Sequence, residues 1–597
     1  MVESTADVLF EVSFEICNKV GGIWTVVSSK AEQVANKYKD KEYICIGPYY
    51  ADKVAGHFVE EAAPEIYKDM CSSLAKDGII LHFGKWLIKG EPQTILIDFE
   101  NFKPHSAALK KDMYDAFKID TLNSPYDFEE PFVWSYASGK VIEQIVATKK
   151  DKKCVAQFHE WLSGAGLLYL KKQNVKIGKV FTTHATILGR SIASSDKDLY
   201  EIMDKIDPDK EAYSYGIPAK FQTEKQAALN ADVFTTVSEI TGMEAKALLG
   251  RKPEVLLPNG LDLDKFPSFE DISIQHRIRR DKIRDFLLYY FHPHYNIDLK
   301  ESLIFFLAGR YEFRDKGIDI YLHALAKLNE ELKKQNHNGK TVFAFIWVPS
   351  GIRGIKTQLI ENRTMFQDIK DALNDDIDHI QRNVLYTIVG KKDLVKENIF
   401  EAGFLTETNR KMLKFIKGGL PPLATHELMN ENEDIISNTL KEIGLNNSED
   451  DKVKIIFYPT YLTGADGLLD LTYYECMQGS HLGVFPSYYE PWGYTPLEAA
   501  ALGVPSVTTD LAGFGRYISH ETEGKEHPGI YVMKRMGVEW QKIVDDLSNF
   551  MYEYTQHSQE ERVKDKMAAK RVSAIADWKN LIDNYIKAHN LALEKWN

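Results

Sequence analysis

A chain of 597 residues is too long for a single hydrophobic core, and with 44% apolar and 12% aromatic residues it has material for two or three. Its formal net charge of -13 argues against nucleic acid as the main partner. Five scattered cysteines without Cys-x-x-Cys pairing, an acidic N-terminus without an apolar leader, and the lack of any apolar run of transmembrane length predict a cytoplasmic, metal-free, non-membrane setting.

Short apolar runs at residues 8–10, 43–46, 94–97, 155–158, 180–183, 233–236 and 254–257 alternate with amphipathic stretches. That alternation predicts a parallel sheet flanked by helices. The first run leads through a loop with Gly21 and Gly22 into a helix carrying Ile23, Val26 and Val27. The glycine pair makes either a tight structural turn or a place where backbone approaches a ligand. Two later strands each end on a histidine, His159 in Phe-His-Glu-Trp and His184 in Thr-Thr-His-Ala-Thr. A histidine in that position serves as readily in structure as in function. Asp262 and Asp264 follow Pro-Asn-Gly and read as loop residues rather than a metal-binding pair.

After an irregular, mixed-charge stretch a second series begins, with runs at 303–306, 342–345, 454–457, 482–485 and 506–509. Two consecutive series predict an α/β protein of two doubly wound Rossmann-like domains facing a deep cleft, the ligand lying beyond the carboxyl ends of the strands. The expected spans are 1–264, completed by a C-terminal helix at 577–597, and 265–576. Between 352 and 443 the second series is interrupted by a charged insertion whose apolar spacing of three and four predicts helices with one sticky face, for the parent domain or for another subunit. His292 and His294, in Phe-His-Pro-His, have no evident third metal ligand.

The strand from 303 is followed by Ala-Gly-Arg310-Tyr-Glu-Phe-Arg-Asp-Lys316-Gly, which puts two cations at a strand end. Both can stabilise a departing diphosphate, arginine as a fork and lysine as a point charge; the alternative is solvated cations paired with Glu312 and Asp315. The strand at 482–485 runs into Pro-Ser-Tyr-Tyr-Glu490-Pro-Trp-Gly-Tyr-Thr495-Pro-Leu-Glu498. With Pro496 read as the first helical residue, Thr495 is the expected N-cap, and the helix start makes an anion site beside Glu490. Glu498 then either closes a capping box with Thr495 or faces a ligand.

These segments, with Asn18-Lys19-Val-Gly-Gly-Ile-Trp-Thr-Val, Ala-Asp-Val-Phe-Thr-Thr-Val-Ser238 and Pro258-Asn-Gly-Leu, resemble the eukaryotic-type glycogen synthases over nearly the whole chain. The resemblance implies a GT-B fold and transfer of glucose from a nucleotide donor, UDP-glucose or ADP-glucose, to the non-reducing end of an α-1,4-glucan such as glycogen. Configuration would be retained, with no metal or other cofactor. It implies that Glu490 stands at the reacting sugar, that Arg310 and Lys316 neutralise the leaving diphosphate, and that its oxygen helps to take the acceptor's proton. His159 would touch the donor glucose, Glu498 the ribose, and Tyr473 the base. Lys19, Gly21, Gly22, Gly493, Tyr494 and Thr495 would complete the donor site, and a homo-oligomer such as a tetramer would form. A glycoside hydrolase needs two carboxylates across a sugar, and a glucan phosphorylase needs a lysine-bound pyridoxal phosphate; neither pattern is found. A non-catalytic glucan-binding scaffold is disfavoured by the intact Glu490, Arg310 and Lys316.

The resemblance also implies a late helix whose arginines bind glucose-6-phosphate. The matching stretch holds Lys564, Lys566, Lys570 and Arg571, and lysine lacks the bidentate fork. The expectation is a rate that glucose-6-phosphate changes by less than about twofold, equivalent to ~0.4 kcal/mol.

Overall fold

The computed structural model describes residues 2–122, 124–335 and 340–596. Its first half is built on a nine-stranded sheet of β1 (Val8–Val12), β2 (Glu42–Pro48), β3 (Phe58–Glu61), β4 (Ile80–Trp86), β5 (Gln93–Asp98), β6 (Cys154–His159), β7 (Gly178–Thr183), β8 (Val233–Thr236) and β9 (Val255–Leu256). The spatial order is 3-4-5-2-1-6-7-8-9. All pairs are parallel except those made by β4 with β3 and with β5.

The second sheet is wholly parallel, with β10 (Leu303–Ala308), β11 (Val342–Trp347), β14 (Val453–Phe457), β15 (Leu482–Val484), β16 (Ser506–Thr509) and β17 (Ile530–Met533) in the order 14-11-10-15-16-17. β10, Leu-Ile-Phe-Phe-Leu-Ala, is buried along its whole length. A strand covered by helices on both faces needs such an unbroken apolar run, and each buried Leu, Ile or Phe side chain contributes about 1.5–3 kcal/mol. A small antiparallel ribbon, β12 (Ile352–Ile355) with β13 (His426–Leu428), brackets the insertion.

The strand order creates a switch point in each sheet. In the first the chain runs outward from β1 through β2 and returns to lay β6 on the other side of β1; in the second it leaves β10 for β11 and β14 and returns to lay β15 on the other side of β10. Loops leaving neighbouring strands diverge there and open a crevice at the strands' carboxyl ends.

The helix Phe269–Phe291 links the two sheets, with Ser268 Oγ capping it through the Asp271 amide. The last helix, Trp578–Trp596, packs back on the first sheet, where Trp578 Nε1 donates to Ser29 Oγ at 2.7 Å and Tyr38 Oη meets His589 Nδ1 at 3.0 Å. Within the insertion, Thr357–Asp375, Ile377–Val389 and Ala402–Phe415 are helical. Leu359 and Phe415 pack into the second domain's core, whereas Leu385, Tyr386, Ile388, Val389, Leu413 and Ile416 face outward.

Candidate active site

The loops after β10 and β15, neighbours at the second switch point, carry the chemistry. Lys316 Nζ donates to Glu490 Oε2 at 2.6 Å, with side-chain exposures of 15% and 21%, enough to shield the pair and still leave it reachable from the cleft. Asp315, an alternative partner for the cations, takes a hydrogen bond from Ser194 of the first domain at 2.8 Å. Close backbone packing makes the Lys316–Glu490 pair possible. Gly317 has φ of 68°, and a Cβ there would lie 2.0 Å from the Pro486 carbonyl oxygen, so only glycine lets the two loops meet. Gly493 has φ of 104°, and a Cβ there would stand 3.2 Å from Glu490 Cγ. Arg310 is exposed and pairs with Glu312 at 3.0 Å.

The helix Tyr494–Ala501 begins two residues earlier than expected. Its N-cap is Gly493, which supplies no side-chain bond, so Thr495 is a first-turn residue and not the cap. Pro496 is accommodated in that turn because the amides there have no intrahelical partner to lose. Glu498 accordingly makes no capping box: its carboxylate accepts from Tyr474 Oη at 2.9 Å and Tyr473 Oη at 3.4 Å. Burial raises the Glu498 carboxyl above its ordinary range, and the two phenols oppose that rise. Tyr494 Oη is buried with no partner among the described residues. Lys316, Glu490, Gly493 and Thr495 line one small cavity with Ser487 and Thr508.

From the first domain, Lys19, Gly21 and Gly22 are exposed at the start of the helix Gly22–Lys37. That helix end already holds a carboxylate: Glu15 Oε2 accepts from the Gly21 and Trp24 amides at 2.8 and 2.9 Å. Burial raises the Glu15 carboxyl, and the backbone amides partly offset this.

His159 is corrected by the structure. Its ring is 1% exposed, with Nε2 at 2.8 Å from Glu11 and Nδ1 at 2.9 Å from His184 Nε2, so it has no nitrogen left for a sugar. Burial alone would raise the Glu11 carboxyl, but Lys30 and His159 outweigh it and hold the group far below the usual range. Burial lowers the pKa of both histidines, which keeps them neutral. The Glu11 carboxylate accepts from His159 Nε2–H, so His159 Nδ1 accepts from His184 Nε2–H and His184 Nδ1 is left an acceptor. Arg190, exposed on the helix Ile187–Ala193, lies in the electrostatic neighbourhood of Tyr489, Glu160 and Glu312. Sequence reasoning passed over it; an arginine one turn past a strand that ends on a histidine was the available signal.

The four residues proposed as an effector group do not gather. Lys564 pairs with Glu560 at 3.1 Å, Lys570 Nζ donates to the Ala501 carbonyl at 2.8 Å, and Arg571 is exposed. Lys566 alone lines a cavity of about 300 Å³, with Arg280, Arg284, Lys300, His481 and Arg562. Crowding there lowers the Lys566 ammonium to about 7, through burial first and then the charges of Arg280 and Arg562. Two of the cavity's three arginines, Arg280 and Arg284, come from the linking helix and the third, Arg562, from the late helix itself. Among the described residues, no three His, Cys, Asp or Glu side chains are grouped to hold a metal, and no helix is long and apolar enough to cross a membrane.

Two Rossmann-like domains, each with its own switch point, define the GT-B glycosyltransferase class, and the catalytic domain of starch synthase IV from Arabidopsis thaliana, bound to ADP and acarbose, shares the fold. It aligns over 99% of this chain and all of that one, with a TM-score of 0.53 at 13% identity. The family model described as glycogen synthase matches residues 11–597. The chain belongs to the glycogen synthase family. It is 36% identical over 600 residues to a glycogen [starch] synthase of Neurospora crassa, covering 98% of this chain and 84% of that one. Identity is 34% to isoform 2 of Saccharomyces cerevisiae and 34% to the liver enzyme of Mus musculus, each over 98% of this chain and 86% and 83% of the relative.

Proposed function

We propose that this protein transfers glucose from UDP-glucose to the non-reducing end of an α-1,4-glucan with retention of configuration, the second domain holding the nucleotide sugar and the first the acceptor. The observation that carries the reading is the Lys316–Glu490 pair at 2.6 Å, at the meeting of two strand-end loops beside a helix N-terminus. A diphosphate suits the amides of that helix start and the Lys316 charge, and Arg310 on its exposed stem can close over it from the same loop. The buried, unpartnered Tyr494 hydroxyl and the Glu498 carboxylate between Tyr473 and Tyr474 suit a ribose and a base. His184, with Nδ1 as acceptor, replaces His159 as the first domain's group for a glucose hydroxyl, and Arg190 joins the cations on that side.

In the reaction the bond from glucose C1 to the diphosphate oxygen breaks, and the acceptor hydroxyl bonds to C1 on the same face. Its proton passes to the departing diphosphate. Lys316 and Arg310 stabilise the charge that develops there, and Glu490 stabilises the positively charged sugar, so the protein acts mainly through preorganised electrostatics. Gly21 and the helix behind it can approach the diphosphate once Glu15 yields their amides, which couples donor binding to a local rearrangement. The test is the initial rate of glucose incorporation into glycogen from UDP-glucose and from ADP-glucose.

Leu385, Tyr386, Ile388 and Val389 on Ile377–Val389, Leu413 on Ala402–Phe415 and Ile416 just after it are exposed apolar side chains of one insertion, of the kind that marks protein contacts. We take the partner to be further copies of this chain. Light scattering is expected to give a mass of at least twice the monomer's 68.2 kDa at micromolar concentration, and Leu385→Glu with Val389→Glu to reduce it; a wild-type monomer would dismiss this face.

A further inference from the structure

The two tyrosines before Glu490 tie its loop to both domains. Their backbone amides donate to the Asp315 carbonyl at 2.9 and 3.1 Å, beside Lys316, so the main chain is fixed to the second domain. Their side chains go the other way: both rings are 4% exposed and pack in the core of the first domain. Tyr488 Oη accepts from the Leu199 amide at 2.7 Å and meets Asp198 at 3.1 Å, with the Arg314 guanidinium 4.5 Å above its ring. Tyr489 Oη donates to Glu244 Oε2 at 3.3 Å. Glu244 is fully buried on the helix Glu239–Leu248 and also accepts from Thr186 Oγ1 at 2.8 Å and Tyr200 Oη at 3.2 Å. Thr186 caps the helix that carries Arg190, so one buried carboxylate joins the loop of Glu490 to the segment presenting His184 and Arg190.

We propose that Tyr489, held by Glu244, is a positioning residue that sets Glu490 against the first domain's side of the active site. A buried phenol hydroxyl needs a partner whatever its role, so the choice of partner is what carries the argument. Here the hydroxyl ends on an acceptor that two other hydroxyls also orient, and the next residue along the chain is Glu490, whose carbonyl is fixed by the Gly513 amide at 3.0 Å. Loss of the Tyr489 bond would leave the second domain's nucleotide contacts, the helix start at Tyr494 with Tyr473 and Glu498, as they were. The reacting carboxylate would no longer be in register with the groups across the cleft, and misplacements of this size cost rate rather than affinity.

The inference rests on the reading of Glu490 as the carboxylate at the reacting sugar. Tyr489→Phe is expected to lower kcat with UDP-glucose and glycogen about tenfold, ~1.4 kcal/mol, while the Kd for UDP stays within about twofold. Glu244→Gln, which keeps an acceptor oxygen, should retain at least about half the rate, and Glu244→Met, which also frees the Thr186 and Tyr200 hydroxyls, should lose at least as much as Tyr489→Phe. The double variant Tyr489→Phe/Glu244→Met should lose no more than Glu244→Met alone, because that change already removes the Tyr489 bond. Full kcat in Tyr489→Phe, or losses that add in the double variant, would overturn the positioning role. Glu490→Gln is measured alongside: full rate there would remove the parent reading and this one with it, whereas an inactive Glu490→Gln beside a fully active Tyr489→Phe would remove this one alone.

Discussion

Glu490→Ala is expected to lower kcat by at least about 10²-fold while UDP binds within about threefold of wild type, a loss of ~2.7 kcal/mol or more confined to the transition state. The separation follows from where the carboxylate sits. It is beyond the end of β15 and paired with Lys316, with a small cavity between it and the helix start at Tyr494. In the proposed reading a nucleotide contacts the helix start and the tyrosines, so truncating Glu490 would leave those contacts in place. The sugar gains positive charge only as its bond to the diphosphate breaks, and an interaction made with that charge changes kcat rather than ground-state binding. A variant retaining more than about a tenth of wild-type kcat would take Glu490 out of the centre of the reaction.

Lys316→Ala should fail differently. Lys316 faces Glu490 at 2.6 Å and also stands where the diphosphate would lie, so its removal weakens UDP binding, by about tenfold, and lowers kcat, by about 10²-fold. Lys316→Arg should not restore the rate, because the planar fork is broader than the ammonium and the loop is held tightly by the Gly317 contact with Pro486. Arg310→Ala should share the pattern more mildly, since its side chain is 67% exposed and free to engage only when a donor is present. Isothermal titration with UDP, alongside initial rates, separates the two effects; unchanged UDP affinity in both variants would sink the assignment.

The sheets were legible because parallel strands buried on both faces must be written as apolar runs, and Leu-Ile-Phe-Phe at 303–306 can be little else. The positions of Arg310, Lys316 and Glu490 at strand ends followed from the same runs. What the sequence left open was decided by residues distant in the chain. His159 ends β6 and His184 follows β7, both are buried, and only their contacts show that Glu11 and His184 occupy the two ring nitrogens of His159. The helix start was misplaced because a proline looks like a first helical residue, whereas the conformation of Gly493 opens the helix earlier. Arg280, Arg284, Lys300 and His481 reach Lys566 from segments far from the late helix, and Glu244 lies 245 residues from Tyr489; no local pattern joins either set.

The central claim is tested most directly by supplying labelled UDP-glucose with glycogen and following label into the polymer, with ADP-glucose in a parallel reaction. Steady incorporation from UDP-glucose, faster than from ADP-glucose and released as α-1,4-linked glucose, is the predicted result; no incorporation from either donor would contradict it.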